Sequence, residues 1–268
     1  YAAQRRISFQ NIIRVAFRPN LTTLTRQEFE EIKAVVDKKS MRNVQAYALT
    51  WAAPYRVECM SITSAFAFGY DPAFCEPGCK PTRPTRYFNS RSSLPFAQLG
   101  IRPAMAIAAT SFEQAKALID RGVESDGTFP AGAAYLLSTT DVARNVRSAF
   151  YPDAKRVVNG RIPVFILKRE NLKYVNDVLF YFTGRSSVEG LPTLRFVPGA
   201  IADHLTSSGG ALTDSSQMSA LRWLEAGATG SYGTVVEPCN LPQKFPNPAV
   251  VAGHYLRGDT LIEAYWKS

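Results

Sequence analysis

His204 and Cys239 lie 35 residues apart in the last quarter of the chain, and they are the two side chains best suited to covalent chemistry. An imidazole that takes a proton from a thiol creates the thiolate that attacks a carbonyl carbon, the pairing used by cysteine peptidases. The chain has only two histidines. His254 falls on Pro248 to Leu256, where Asn247 and Pro248 read as helix cap and first-turn residue, and helical spacing sets it beside Val250 and Val251. That leaves His204 as the base. Against the dyad, a Pro-Cys-Asn turn does nothing by itself to lower a thiol pKa. The expectation is therefore a His204 bonded to Asp203 or to backbone and a Cys239 held in a disulfide.

Around His204 stand Asp203, Thr206, Ser207 and Ser208, followed by Gly209 and Gly210. Adjacent Asp and His side chains diverge, and the chain contains no G-x-S-x-G elbow, so a serine-hydrolase triad is not expected. The amides of Ser207-Ser208-Gly209-Gly210 have the composition of an anion cradle. They lack the lysine and spacing of a phosphate-binding loop, which makes turn geometry the better reading. The segment from Pro198 to Trp266 carries eight of the seventeen glycines, a density suited to sharp turns and close backbone approach.

The four cysteines are Cys59, Cys75, Cys79 and Cys239. Three residues separate Cys75 from Cys79, which is not the spacing of a zinc knuckle or a thioredoxin-like site. No metal and no cofactor is expected. A structural disulfide formed in an oxidising compartment is, with Cys75 in at least one bridge. Cys75 with Cys79 is the simplest pairing, although all three connectivities stay open.

At 268 residues, 46% hydrophobic and 20% charged, the chain can bury a full core. No apolar run approaches the roughly 20 residues of a membrane-spanning helix. The net charge of +9 permits an anionic partner without requiring one. Lys80 to Ile101 concentrates bases without acids and interleaves Tyr87 and Phe88. No recognised binding module surrounds that patch, so nucleic acid is not an expected partner. Polysaccharide, lipid headgroups or protein suit it better.

The positioning elements alternate between strands and helices. Asn11 to Phe17 reads as a short β-rich run. Thr25 to Glu28 is a capping box opening a helix with Phe29, Ile32, Val35 and Val36 on one side. Val44 to Trp51 and Ala104 to Ala108 read as buried strands, and Ser111 to Gln114 caps a helix ending at Gly122. Tyr135 to Ser138, Val164 to Leu167 and Val178 to Phe182 are further strands. Met218, Leu221 and Leu224 mark a helix stopping at Gly227, and Ala228 to Val235 leads onward. The rhythm implies one α/β domain over 1–268: a mostly parallel, doubly wound sheet containing the strands at Val44, Ala104, Val164, Val178 and Ala228. Residues 52–100, rich in Pro, Ser and Arg, read as a disulfide-pinned insertion. Open parallel sheets bind at the carboxyl ends of their strands, here after Phe182 and after Leu205. YAAQRRIS reads as the last turns of a helix, and Leu261, Ile262, Tyr265 and Trp266 as a helix start needing a partner surface, so the natural chain is expected to continue past both ends.

The run PGAIADHLTSSGGALTDSSQMSALRWLEAGATGSYGTVVEPCN, with RPAMAIAA, ALIDRGVESDGTFP and the Cys75/Cys79 loop, resembles an uncharacterised bacterial family found in genomes that encode exosortase. The resemblance covers nearly the whole chain. It implies an exported, periplasmic or extracellular protein whose partners are an envelope protein, a polysaccharide or further copies of itself. A more distant resemblance is to gingipain-like and caspase-like cysteine peptidases. There Phe182-Thr-Gly-Arg-Ser-Ser187 is similar to the turn carrying the peptidase histidine, and Leu224-Glu-Ala-Gly-Ala-Thr229 to the segment after the nucleophile. On that alignment Arg185 stands in place of histidine, and Ser207 or Ser208 in place of cysteine. Arginine stays protonated and cannot act as a base. The resemblance thus implies a non-catalytic binding or assembly role on a peptidase-like scaffold, with Arg185, Ser207, Ser208, Gly209 and Gly210 as binding residues. The alternative is a cysteine peptidase or transpeptidase using Cys239 and His204.

Overall fold

A computed structural model of the chain describes residues 1–75 and 79–268. The first part runs β1 (Thr23–Leu24), α1 (Arg26–Lys39), β2 (Tyr47–Leu49), β3 (Arg56–Val57), β4 (Met60–Ser61), α2 (Ile62–Phe68), α3 (Pro95–Leu99) and β5 (Ala104–Ala106). The second runs α4 (Phe112–Glu124), β6 (Ala133–Ser138), α5 (Tyr151–Val157), β7 (Val164–Lys168), β8 (Val178–Gly184), β9 (Phe196–Leu205), α6 (Leu221–Ala226), α7 (Pro248–Leu256) and α8 (Leu261–Trp266).

Local chemistry explains where the helices begin and stop. Thr25 accepts from the Glu28 amide while the Glu28 carboxylate accepts from the Thr25 amide, so two otherwise orphaned donors are satisfied at the start of α1. Thr260 and Glu263 repeat the arrangement at α8. Asn247 caps α7 ahead of Pro248, and Gly227 closes α6 with φ of 117°, a left-handed conformation that glycine adopts without steric penalty. Ser111 caps α4, which continues past Gly122 to Glu124. Gly122 lies inside the helix, where a Cβ would come 3.0 Å from the Arg5 guanidinium.

The main sheet has the order β7-β6-β8-β9, all parallel. In chain order this is second, first, third, fourth, with a reversal of winding between β6 and β8. Central strand β8 is buried over all seven residues, as its continuous apolar run requires. Leu136, Phe180, Phe182 and Ile201 face a core closed by α5, α7 and α8. Tyr135, Leu137, Tyr181 and Ala202 face a second core closed by Trp223 of α6 and by Leu172, Val188 and Leu191 from the crossovers. The crossovers on that face are short, the one after β8 holding only a single 3-10 turn at Leu191–Thr193.

Five of the six strand pairings among the described residues are parallel, but the strands do not form one sheet. β2 pairs only with β5, and β1, β3 and β4 make a third small sheet. The run after Ala228 reaches the main sheet through a single bridge from Gly230 to Ile201. Three-residue pairings are too short to carry the ladder further, and the first part of the chain instead builds its own core around Phe29, Val57, Met60 and Phe66. Asn11 to Phe17 forms no ladder; a 3-10 turn at Phe9–Asn11 precedes an extended stretch that packs Ile13, Val15 and Phe17 on that core. Ala2 to Arg6 form a turn rather than a regular helix. Residues 52–100 hold β3, β4, α2 and α3 and contribute much of the same core.

Two disulfides are present, Cys59–Cys75 and Cys79–Cys239, and no cysteine is free. The simplest pairing, Cys75 with Cys79, is therefore incorrect; the turn between them, residues 76–78, lies outside the described residues. Instead Cys75 closes a short loop onto β3–β4, and Cys79 ties 52–100 to the segment that follows Gly230. Two disulfides are what an oxidising compartment produces. No helix among the described residues is long and apolar enough to cross a membrane.

The bridges differ in the length of chain they close, 16 residues for Cys59–Cys75 and 160 for Cys79–Cys239. Since the entropy removed from the unfolded chain grows with the logarithm of loop length, deleting Cys79–Cys239 should cost about 2 kcal/mol more than deleting Cys59–Cys75. Urea unfolding of the two paired Cys→Ser variants measures the difference. Equal or reversed losses would contradict the loop-entropy account.

Candidate functional site

The carboxyl ends of β6, β8 and β9 gather the charged and hydroxyl side chains that the sequence marks for function. The winding reversal between β6 and β8 is where an open α/β sheet leaves a crevice. Here residues 139–147 fill it. Thr139 Oγ1 donates to the Gly184 carbonyl at 2.8 Å, and Asn145 accepts from the Thr139 amide and donates to Ser138. A Cβ on Gly184 would lie 1.9 Å from the Arg144 carbonyl oxygen, so this crossing exists only because residue 184 is glycine.

Beneath the crossing, Arg147 enters the core facing α5, α7 and α8. Its Nη1 lies 2.5 Å from Asp203 Oδ1, and its Nη2 donates to the Thr183 and Asp203 carbonyls at the ends of β8 and β9. Tyr265 of α8 donates to Asp203 Oδ2 at 3.3 Å, and the guanidinium sits 5.1 Å from the Phe182 ring centre. Burial pushes the Asp203 carboxyl up, opposed by Arg147. Burial works most strongly against the Arg147 charge, but the Asp203 carboxylate together with Tyr151 and Tyr265 holds the guanidinium pKa above its ordinary value.

His204 points the other way, as the next residue on a strand must. It is 1% exposed, and both ring nitrogens are engaged. Trp223 Nε1 donates to Nδ1 at 2.9 Å, so Nε2 carries the proton and donates to the Met218 carbonyl at 3.0 Å. Burial, reinforced by the Arg147 and Arg144 charges and only partly offset by Met218, lowers its pKa to about 3. His204 is thus a neutral core histidine, bonded to backbone as expected but to Trp223 rather than Asp203. The Cys239 sulfur is bonded to Cys79 and cannot be a resting nucleophile. The structure does not assemble a His204–Cys239 dyad.

The loop after β9 is organised by Gln217, which the sequence does not single out. Its Oε1 accepts from Thr206 Oγ1 and from the amides of Ser207 (2.8 Å) and Ser208 (3.3 Å). Arg144 Nε donates to Thr206 Oγ1 at 3.3 Å while its Nη1 pairs with Asp141 at 2.9 Å. Ser208 Oγ is 3.0 Å from Ser215 Oγ, and among the described residues no basic side chain bonds the Ser207 or Ser208 hydroxyl. Gly209 and Gly210 cross the backbone at Gly233, with Gly210 donating to Thr234 at 2.9 Å. A Cβ on Gly210 would stand 2.3 Å from the Gly233 oxygen, so these glycines serve backbone approach rather than an anion cradle.

Arg185, at the end of β8, pairs with Glu170 and keeps about a quarter of its side chain exposed. Its Nε donates to the Ser187 carbonyl at 3.2 Å. Elsewhere His254 is packed, bonded through Nδ1 to Asp259 and through Nε2 to Asn89, and Asp259 also holds the buried Lys267 amine at 3.1 Å. In the basic stretch, Arg83 pairs with Asp71 and Arg86 donates to the Leu99 carbonyl, so part of that charge is structural. Tyr87 is fully buried, whereas Phe88 is half exposed on the wall of a cleft of about 730 Å³ between residues 55–106 and the segment 231–247. No group of three or more His, Cys, Asp or Glu suited to a metal ion occurs among the described residues.

Comparison of the chain with protein-family models, with curated proteins and with solved structures finds no match in any of the three. What the fold and site define is an α/β protein with mostly parallel strands, two disulfides, and a polar ledge of Arg144, Arg185, Thr206, Ser207 and Ser208 at the strand ends.

Two predictions follow from the buried groups. An unfolded histidine titrates near about 6.5, and folded His204 near about 3. Between those values the unfolded chain binds more protons, so stability falls as pH falls through that window, by up to about 1.4 kcal/mol per pH unit. His204→Leu should lack this component of the acid limb, and NMR should find the His204 ring unprotonated down to about pH 4; titration near 6 would refute the assignment. In the ion pair, Asp203→Ala strands a buried guanidinium and should cost about 3–5 kcal/mol. Arg147→Met with Asp203→Leu leaves no buried charge and should recover much of that loss in urea unfolding.

Proposed function

We propose that the protein is an exported, non-catalytic binding or assembly component of the cell envelope, built on a scaffold of the caspase-like and gingipain-like kind. The observation that carries this reading is that both groups able to run cysteine chemistry are committed elsewhere. His204 has no free nitrogen and Cys239 no free thiol. The strand order second, first, third, fourth supports the scaffold, because it sets Arg185 after the third strand and Ser207 and Ser208 after the fourth, where a peptidase of that kind carries its histidine and cysteine. A fixed cation and two hydroxyls without a base bind; they do not activate a nucleophile. Two disulfides support export to the periplasm or beyond. The ligand chemistry that suits Arg144, Arg185 and the serines is an oxygen-rich anionic group, on an envelope polysaccharide or protein.

The natively purified protein should leave a peptide library uncut and should show no Cys239 labelling by an electrophilic thiol probe without reductant. Retention on immobilised acidic exopolysaccharide should fall about tenfold in Arg144→Ala/Arg185→Ala, with the melting temperature of the variant close to that of wild type. Peptide turnover lost in Cys239→Ser or His204→Ala would overturn the binding reading in favour of a cysteine peptidase or transpeptidase.

A further inference from the structure

β7 is an edge of the main sheet, paired to β6 and, among the described residues, to no other strand. The register shows which of its peptide groups are free. The Ala134 amide donates to the Pro163 carbonyl and the Arg169 amide donates to the Ser138 carbonyl, so in this parallel ladder residues 163, 165, 167 and 169 bond inward. Val164, Ile166 and Lys168 therefore turn their amides and carbonyls outward, and no other backbone or side-chain group among the described residues bonds them. The strand also shows unusual apolar exposure at its centre, 44% for Phe165 and 40% for Ile166, one on each face of the sheet. Phe165 is already ordered by stacking on Tyr135, with ring centres 5.3 Å apart.

Charge selects the occupant. From Ala154 to Arg169 the chain carries Lys155, Arg156, Arg161, Lys168 and Arg169 and no acid. All five are exposed. Of the flanking acids, Glu170 pairs with Arg185 and Asp153 with Arg156, which leaves Lys155, Arg161, Lys168 and Arg169 without an acidic partner among the described residues. A second copy laid antiparallel against this edge would bring two such basic sets together, which works against self-pairing. An acidic strand gains attraction from the same charges.

We propose that β7 is a docking edge for an extended, acidic segment of a partner protein, which adds to the sheet beside β7 through the peptide groups of Val164, Ile166 and Lys168. Main-chain bonds give such a strand its hold, Phe165 and Ile166 contact its alternate side chains on the two faces, and the flanking bases read its acids. This surface is separate from the ledge of Arg144 and Arg185 and does not depend on it.

The test uses a fluorescent synthetic peptide of alternating Thr and Val with glutamates at both ends, and its twin with lysines, followed by anisotropy. The acidic peptide should bind the full chain, more weakly as salt rises, and the lysine peptide should not. Ile166→Pro removes the central outward amide without touching the ladder to β6, a position where an edge strand tolerates proline. It should weaken binding about tenfold, and Ile166→Ala, which keeps the amide, should weaken it less. Should Ile166→Pro fail to fold, Lys168→Glu/Arg169→Glu serves instead and should reverse the preference between the two peptides. Equal binding of both peptides, or of neither, overturns the proposal. So does a dimer in solution that Ile166→Pro turns into monomer, since the occupant is then a second copy.

Discussion

Arg147 and Asp203 meet with their side chains 1% and 0% exposed, and the architecture around the strand ends hangs on that contact. Two charges out of water are tolerated only when they neutralise each other and when neighbouring groups take up the remaining donors and acceptors. The neighbours here come from three elements: the Thr183 carbonyl and the Phe182 ring on β8, the Asp203 carbonyl on β9, and the Tyr265 hydroxyl on α8. Oδ1 and Nη1 approach closely but with poor hydrogen-bond angles, and Arg147 Nε has no acceptor among the described residues. In a low-dielectric core an incompletely satisfied pair of this kind tolerates little displacement. The contact thus ties the segment 145–150 to β8, β9 and α8.

That constraint also decides the chemistry of the next residue. Because successive strand residues face opposite sides, committing Asp203 to one core commits His204 to the other. There the largest fully buried side chain, Trp223, supplies the donor for Nδ1 and Met218 the acceptor for Nε2. An Asp-His unit of the hydrolytic kind needs the carboxylate to orient the imidazole, and on this strand the two are separated by the sheet itself.

What the sequence revealed and what it hid follow from the range of the interactions. Helix starts at Thr25, Ser111, Asn247 and Thr260 and the stop at Gly227 are written within a few residues, since caps bond their own first or last turn. β6 and β8 are legible as apolar runs because they are buried on both faces, and β7 as an apolar run although it lies exposed at the edge. Partnership across long separations leaves no such trace. Arg147 and Asp203 are 56 residues apart, and the arginine sits in an unremarkable NVRSAF turn. Cys75 and Cys79 are close in sequence yet take different partners, because Cys75 returns to Cys59 in the β3–β4 turn while Cys79 reaches Cys239 in the loop after Gly230. The division into three sheets was likewise hidden, since short strands read the same whichever neighbour they pair with. Gln217 resembles any loop glutamine until the Thr206 to Ser208 turn closes around its carbonyl.

The ledge at the strand ends is consequently rigid from several directions. Gln217 holds the Ser207 and Ser208 amides, Thr234 Oγ1 donates to the Thr206 and Ser207 carbonyls, and the Gly209–Gly210 crossing at Gly233 leaves no space for movement. Tyr55 donates to Asp214 at 2.5 Å, and Arg56 reaches the Val235 carbonyl at 3.5 Å, so the small sheet and the loop brace each other beside the Cys79–Cys239 bridge. A loop ordered by its own side chains loses little further entropy when a ligand arrives, which favours recognition by a preformed surface. The same bracing works against catalysis by rearrangement. Freeing His204 would strand the Trp223 donor and the Met218 acceptor in the core, at about 1–3 kcal/mol for each unpaired group, and freeing Cys239 would require a reductant.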